Sequence, residues 1–165
     1  MKESEWKRTT RESSFGALRP ELVAAIRRYL ERHKLPAIES EILACCETTS
    51  ERRKVGIAER LAGGGDKVQY TAAVVTAGWL IWAAGGDRTG TSVTAVRLSD
   101  IAEVRDYEDT SFHELIEDHG LQIYGFRYHG SEREVWFIGL GQEYAAERFG
   151  QVLREAIHNQ RTQTR

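Results

Sequence analysis

The runs KVQYTAAVVT (67–76) and WLIWAA (79–84) are separated only by Ala77-Gly78 and are rich in β-branched and aromatic residues. Two short runs with so tight a joint predict an antiparallel hairpin, because parallel neighbours need a long crossover. Upstream, Glu41 to Thr49 predicts a first strand. Ser50 to Asp66, with Arg52-Arg53-Lys54 and a closing Gly63-Gly64-Gly65-Asp66, predicts a long basic loop. Downstream, Gly85 to Gly90 reads as a polar turn into a strand from Ser92 to Leu98, and Ser99-Asp100 separates it from Ile101 to Tyr107. Leu121 to Tyr128 and Glu134 to Leu140 complete seven predicted strands.

Helical periods flank this β region. Tyr144, Ala145, Phe149, Val152, Leu153, Ala156 and Ile157 recur at three and four, an amphipathic helix of about five turns. A second stripe, Leu22, Val23, Ile26, Tyr29 and Leu30, follows Pro20 at a position where a helix tolerates it, predicting a helix from about Pro20 to Lys34. Residues 1–19 are polar, with Trp6 and Phe15 isolated, and predict a mobile arm. The expected organisation is an arm plus helix over 1–38 and a main domain over 39–165.

Seven strands in meander order followed by one long helix are similar to a bacterial pleckstrin-homology-like domain over Ile42 to Gln160. The likeness is carried by Val74-Val75-Thr76-Ala77-Gly78-Trp79-Leu80-Ile81-Trp82, which resembles the family's second-to-third strand hairpin. It is carried also by Val96-Arg97-Leu98-Ser99-Asp100-Ile101-Ala102-Glu103-Val104, which resembles its strand, Asp-Ile, strand step. The family's hairpin often has a charged pair where this chain has Ala77-Gly78. The resemblance implies an α+β, mainly β fold: a partly open barrel of seven antiparallel strands in two sheets, a C-terminal capping helix, and an N-terminal helix outside the family pattern. It implies two binding places. One is the edge and groove by the fifth strand and last helix, at Ile101, Val104, Tyr144 and Arg148, where the wider superfamily admits peptides. The other is the loop between strands one and two, where many eukaryotic members hold inositol phosphates, here with Arg52, Arg53, Lys54 and Lys67. Bacterial relatives generally lack inositol lipid ligands.

The 165 residues make about one domain, and 41% apolar composition is enough for a core. Lys and Arg number 23 against 25 Asp and Glu, so no global field favours nucleic acid. The longest apolar stretch, Ala72 to Ala84, is interrupted by Thr76 and Gly78 and falls short of the ~20 residues that span a bilayer. The N-terminus is charged where a signal peptide needs an apolar segment. With no disulfide framework to build from the adjacent Cys45 and Cys46, a cytoplasmic location is expected. Alternation along a strand points the two thiols to opposite faces, one into a core and one half-exposed.

No nucleophile elbow or phosphate-binding loop is present, and the five histidines fall on separate elements. Neither catalysis nor a cofactor nor a metal is expected, and no pocket gathering His113 or His119 with several acids is expected. Charge is uneven. Residues 1–34 hold nine Lys or Arg against five Asp or Glu, whereas residues 99–141 hold three against ten. The acidic cluster reads as a solvated face, or as a seat for a basic partner or for the chain's own arm. Strands with aromatics on both faces leave an apolar outer surface, to be covered by the Pro20–Lys34 helix, a second copy or a partner peptide. These features make the chain a non-catalytic binding or assembly module, for a protein partner or self-association. Peripheral contact with anionic lipid through the basic loop is the alternative reading.

Overall fold

The computed structural model describes residues 4–53, 57, 61–126 and 131–164. Its centre is the hairpin of β3 (Val68–Thr76) and β4 (Trp79–Gly86), in register from Val75 opposite Leu80 to Gln69 opposite Gly86. The Thr76 hydroxyl closes the turn by accepting the Gly78 and Trp79 N–H groups at 3.3 and 3.0 Å, a side chain replacing a backbone partner. β2 (Ile42–Arg52) flanks β3, and β5 (Ser92–Arg97) flanks β4. A three-stranded antiparallel sheet follows, β6 (Ile101–Asp106), β7 (Gly120–Phe126) and β8 (Arg133–Gly139). The chain ends in α2 (Tyr144–Gln163). The fold is α+β and mainly β, with two antiparallel sheets.

The first sheet has one strand more than the sequence predicts. Residues Trp6–Glu12 form β1, paired with β2 from Trp6 opposite Arg52 to Glu12 opposite Cys46, so the described residues form eight strands and residues 6–12 are not a mobile arm. β1 is polar because its inward contacts are polar. The Thr10 and Thr48 hydroxyls share a hydrogen bond at 2.8 Å, and Arg8 donates to the Ser50 Oγ at 2.6 Å. Hydropathy periodicity detects apolar burial and is blind to such a strand. The same pairing carries β2 through Ser50 to Arg52, residues expected in a loop. Gly85 and Gly86 likewise extend β4 instead of opening a turn. A Cβ at Gly86 would collide with the Asp66 carboxylate and displace it, so glycine makes room for Asp66 there.

Both faces of the five-stranded sheet are buried. Inward-facing Cys46, Ala73, Val75, Leu80 and Val96 meet Ile101, Leu121, Ile123 and Ile138 of the second sheet, with Phe149 and Leu153 of α2 packed on this cluster. Outward-facing Cys45, Ala72, Val74, Ile81, Ala83 and Ala95 are covered by α1 (Pro20–Arg32), through Leu22, Val23, Ile26 and Leu30. Alanine at 72, 83 and 95 lets the helix lie close to the sheet. The buried Glu47 sets the start of α1, accepting the Arg19 N–H at 2.7 Å and pairing with Arg11 at 2.9 Å. Helix α1 buries Cys45, the second sheet and α2 bury Cys46, and the expected half-exposed thiol is absent. No helix among the described residues is long and apolar enough to cross a membrane.

Candidate functional site

The basic residues between β2 and β3 do not form one open cluster. Arg52 is ion-paired to Glu5, which the added strand β1 brings alongside, and its guanidinium lies 5.7 Å from the Trp6 ring centre. Arg53 and Lys67 are exposed. The Arg53 N–H donates to the Glu5 carbonyl at 2.9 Å, and the Lys67 N–H to Asp87 Oδ1 at 2.9 Å. Lys54 lies outside the described residues. Arg88 donates to the carbonyls of Gly63 and Gly64, binding the glycine loop itself. Asp66 completes that clasp by accepting the Arg88 N–H, the Thr89 N–H and the Thr89 hydroxyl. The Thr89 hydroxyl, with the two N–H groups, holds the Asp66 carboxyl below its ordinary range.

The proposed groove residues also separate. Ile101 is buried in the core, and Val104 is half-buried. Tyr144 and Arg148 point to solvent from the side of α2 opposite Phe149 and Leu153. The flank of α2 that faces β6 carries other residues. Arg154 pairs with Asp106 at 2.9 Å, and Arg161 donates to the carbonyls of Ile101 and Ala102 at 3.1 and 2.9 Å. These arginines occupy the β6 edge where an added strand would pair. Their spacing of seven residues marks one helix face and is legible in the sequence, but their target is not.

Between the end of β6, the start of β7 and the first turn of α2 lies a cleft of about 260 Å3. It brings His119 together with Asp106, Glu108, Glu143 and Glu147, contrary to the expectation that no pocket gathers His113 or His119 with several acids, because α2 packs its first turn against the start of β7. Most of these groups are already engaged. Glu108 pairs with His119, Asp106 with Arg154, and Glu143 accepts the Thr10 N–H at 3.0 Å. Among the described residues no three His, Cys, Asp or Glu side chains are placed to hold a metal. The cleft is a junction of ion pairs between the sheets and α2.

The outer face of the three-stranded sheet is different in kind. Val135 is 53% exposed and Phe137 37%, and the turn between β6 and β7 adds Phe112 at 51%, Leu115 at 72% and Ile116 at 62%. Tyr107 joins this turn segment to β8, its ring 5.0 Å from that of Phe137 and 6.1 Å from that of His113. Exposed Asp109 and Glu114 border the patch. The sequence shows these side chains, but only the packing shows that α1 covers the other sheet and leaves this one open.

Comparison of the chain with protein-family models, with curated proteins and with solved structures finds no match.

Proposed function

We propose that this chain is a pleckstrin-homology-like domain acting as a non-catalytic protein-binding or assembly module, with the outer face of its three-stranded sheet as the contact surface. The unequal covering of the two sheets carries the reading: α1 buries the outer face of one, while Val135 of the other, and Phe112, Leu115 and Ile116 of the turn between β6 and β7, stand in water. Burying one such side chain contributes about 1.5–3 kcal/mol. An apolar centre with a charged border is the anatomy of an interface. The acidic border, Asp109 and Glu114, favours a partner that carries Lys or Arg beside its apolar anchors. β8 is an edge of its sheet and offers a backbone ladder next to the patch. The order of four strands (β2 to β5), three strands (β6 to β8) and a terminal helix supports the family reading.

Photo-crosslinking in cells tests the surface, with a photoreactive amino acid placed at Leu115 or Val135, at Tyr144 or Arg148, and at Glu155 as a control. Discrete adducts from Leu115 and Val135 are expected, a doubled mass marking a second copy and any other mass a different protein. Adducts from Tyr144 or Arg148 alone would move the contact to α2. Their absence at all four positions would overturn the binding role.

A further inference from the structure

A second cleft, of about 310 Å3, lies where the C-terminal half of α1 meets the start of β5. Helical spacing builds it. Arg28 and Arg32 stand one turn apart on one ladder, and Ala25, Tyr29 and His33 follow each other at the same interval on the next. The small Ala25 leaves room beneath Tyr29. The Tyr29 and His33 rings meet with centroids 4.2 Å apart and planes tilted by 35°, an aromatic wall. Across from them lie Thr91, just before β5, and the half-buried Val93 of β5.

Among the described residues the arginines of this cleft are not spent on acidic neighbours. Arg27, beside Arg28 in sequence, turns away to Glu39 at 3.0 Å. Neither Arg28 nor Arg32 has a carboxylate partner among the described residues, and both are exposed. Arg32 complements the partial negative charge at the helix C-terminus, about half a unit. Arg28, a turn earlier, lies beyond the reach of that effect, so two full charges on one face exceed what the helix end needs. Guanidinium groups present forked donors that match a phosphate. The volume sits at the lower end of the roughly 300–1,000 Å3 of small-molecule sites.

We propose that this cleft binds a phosphate monoester, with the phosphate on Arg28 and Arg32 and the organic group against the Tyr29–His33 wall. The arginines and the aromatic wall stand on α1, outside the stretch similar to the pleckstrin-homology-like family, and the cleft is not lined by any residue of the apolar patch, so it does not depend on the proposed protein contact. One chemistry has two sources here, a free phosphate ester or the monoester headgroup of phosphatidic acid.

The test titrates the full chain with inorganic phosphate, with adenosine 5′-monophosphate, and with phosphatidylcholine vesicles with and without phosphatidic acid. We expect saturable binding that weakens with salt, tighter for the nucleotide than for inorganic phosphate. The doubly substituted Arg28→Gln, Arg32→Gln protein should bind at least tenfold more weakly, and Arg105→Gln, an exposed arginine elsewhere, should bind as the wild type does. Binding to phosphatidic acid vesicles with none to the nucleotide, lost in the double variant, assigns the same site to a lipid headgroup. The proposal is overturned by no binding to any of these ligands, or by binding that the double variant retains while its circular dichroism matches the wild type.

Discussion

The Arg8 guanidinium meets the Asp118 carboxylate through two parallel hydrogen bonds, Nε to Oδ1 at 2.8 Å and Nη2 to Oδ2 at 2.7 Å. The side chains are only 8% and 13% exposed and sit 110 positions apart in the chain. The pair ties β1 of the first sheet to the segment entering β7 of the second. Gly139 makes room for it, since a Cβ there would collide with the Arg8 guanidinium. Part of the acidic cluster thus receives the chain's own N-terminal segment.

Breaking this pair from one side leaves a buried charge without its partner. Asp118→Ala is expected to cost about 3–5 kcal/mol, and the paired Arg8→Met, Asp118→Leu change clearly less than the single substitutions combined. Urea unfolding of the variants measures both. A loss below about 1 kcal/mol for Asp118→Ala would mean that water screens the pair.

Burial pushes the Cys45 thiol up to about 12, the Glu47 carboxylate adding to the shift and Arg11 opposing it. Burial raises Cys46 as well, with the neighbouring Cys45 contributing. Only thiolate reacts with a disulfide reagent, so the native protein should resist labelling at pH 8 and take up two equivalents in urea. Rapid labelling of the native protein would contradict the burial of these groups.

Ile26 is fully buried between α1 and the sheet. Ile26→Ala is expected to destabilise by about 2–5 kcal/mol. Because Cys45 lies under α1 and Cys46 between the sheets, loosening the helix should let Cys45 react first. Mass spectrometry of a labelling time course tells the sites apart. Equal rates would mean that the helix opens only when the whole domain unfolds.

The clasp around Asp66 makes stability depend on acid. Its carboxyl is held below the ordinary value, so its contribution is complete above the unfolded pKa of about 3.9 and is lost as pH falls through the lower folded value. Asp66→Asn should therefore be less stable than wild type at pH 7, and the gap should close as the pH drops below about 4. A gap that is constant with pH in thermal melts would rule out the hydrogen-bonded carboxylate as its source.

The hairpin at 67–84 is legible because alternation, β-branched residues and a turn of two residues are local signals. Both helices are legible for the same reason. β1 is not, because Arg8, Thr10 and Arg11 are held by the ladder to β2 and by Asp118, Thr48 and Glu47, none of which is near in sequence. The exposure of the cysteines was misread for a related reason: alternation tells which face each thiol takes, not that α1 covers the second face.

The candidate sites show the same division. The arginines of residues 52–54 are adjacent in sequence, yet Arg52 is taken by Glu5, whose approach requires β1. Arg28 and Arg32, unremarkable in sequence, line a cleft because β5 arrives beside α1. His119 meets Glu143 and Glu147 only where α2 turns in against the second sheet.

Sequence alone determined the seven strands from β2 to β8, the two amphipathic helices and the mainly β class, since backbone preference and hydrophobic period act within a few residues. Tertiary structure decided the eighth strand, which sheet face is covered, and which charges are paired or left open. Those depend on contacts between groups as far apart as Arg8 and Asp118, whose partners are chosen only when the sheets and helices pack.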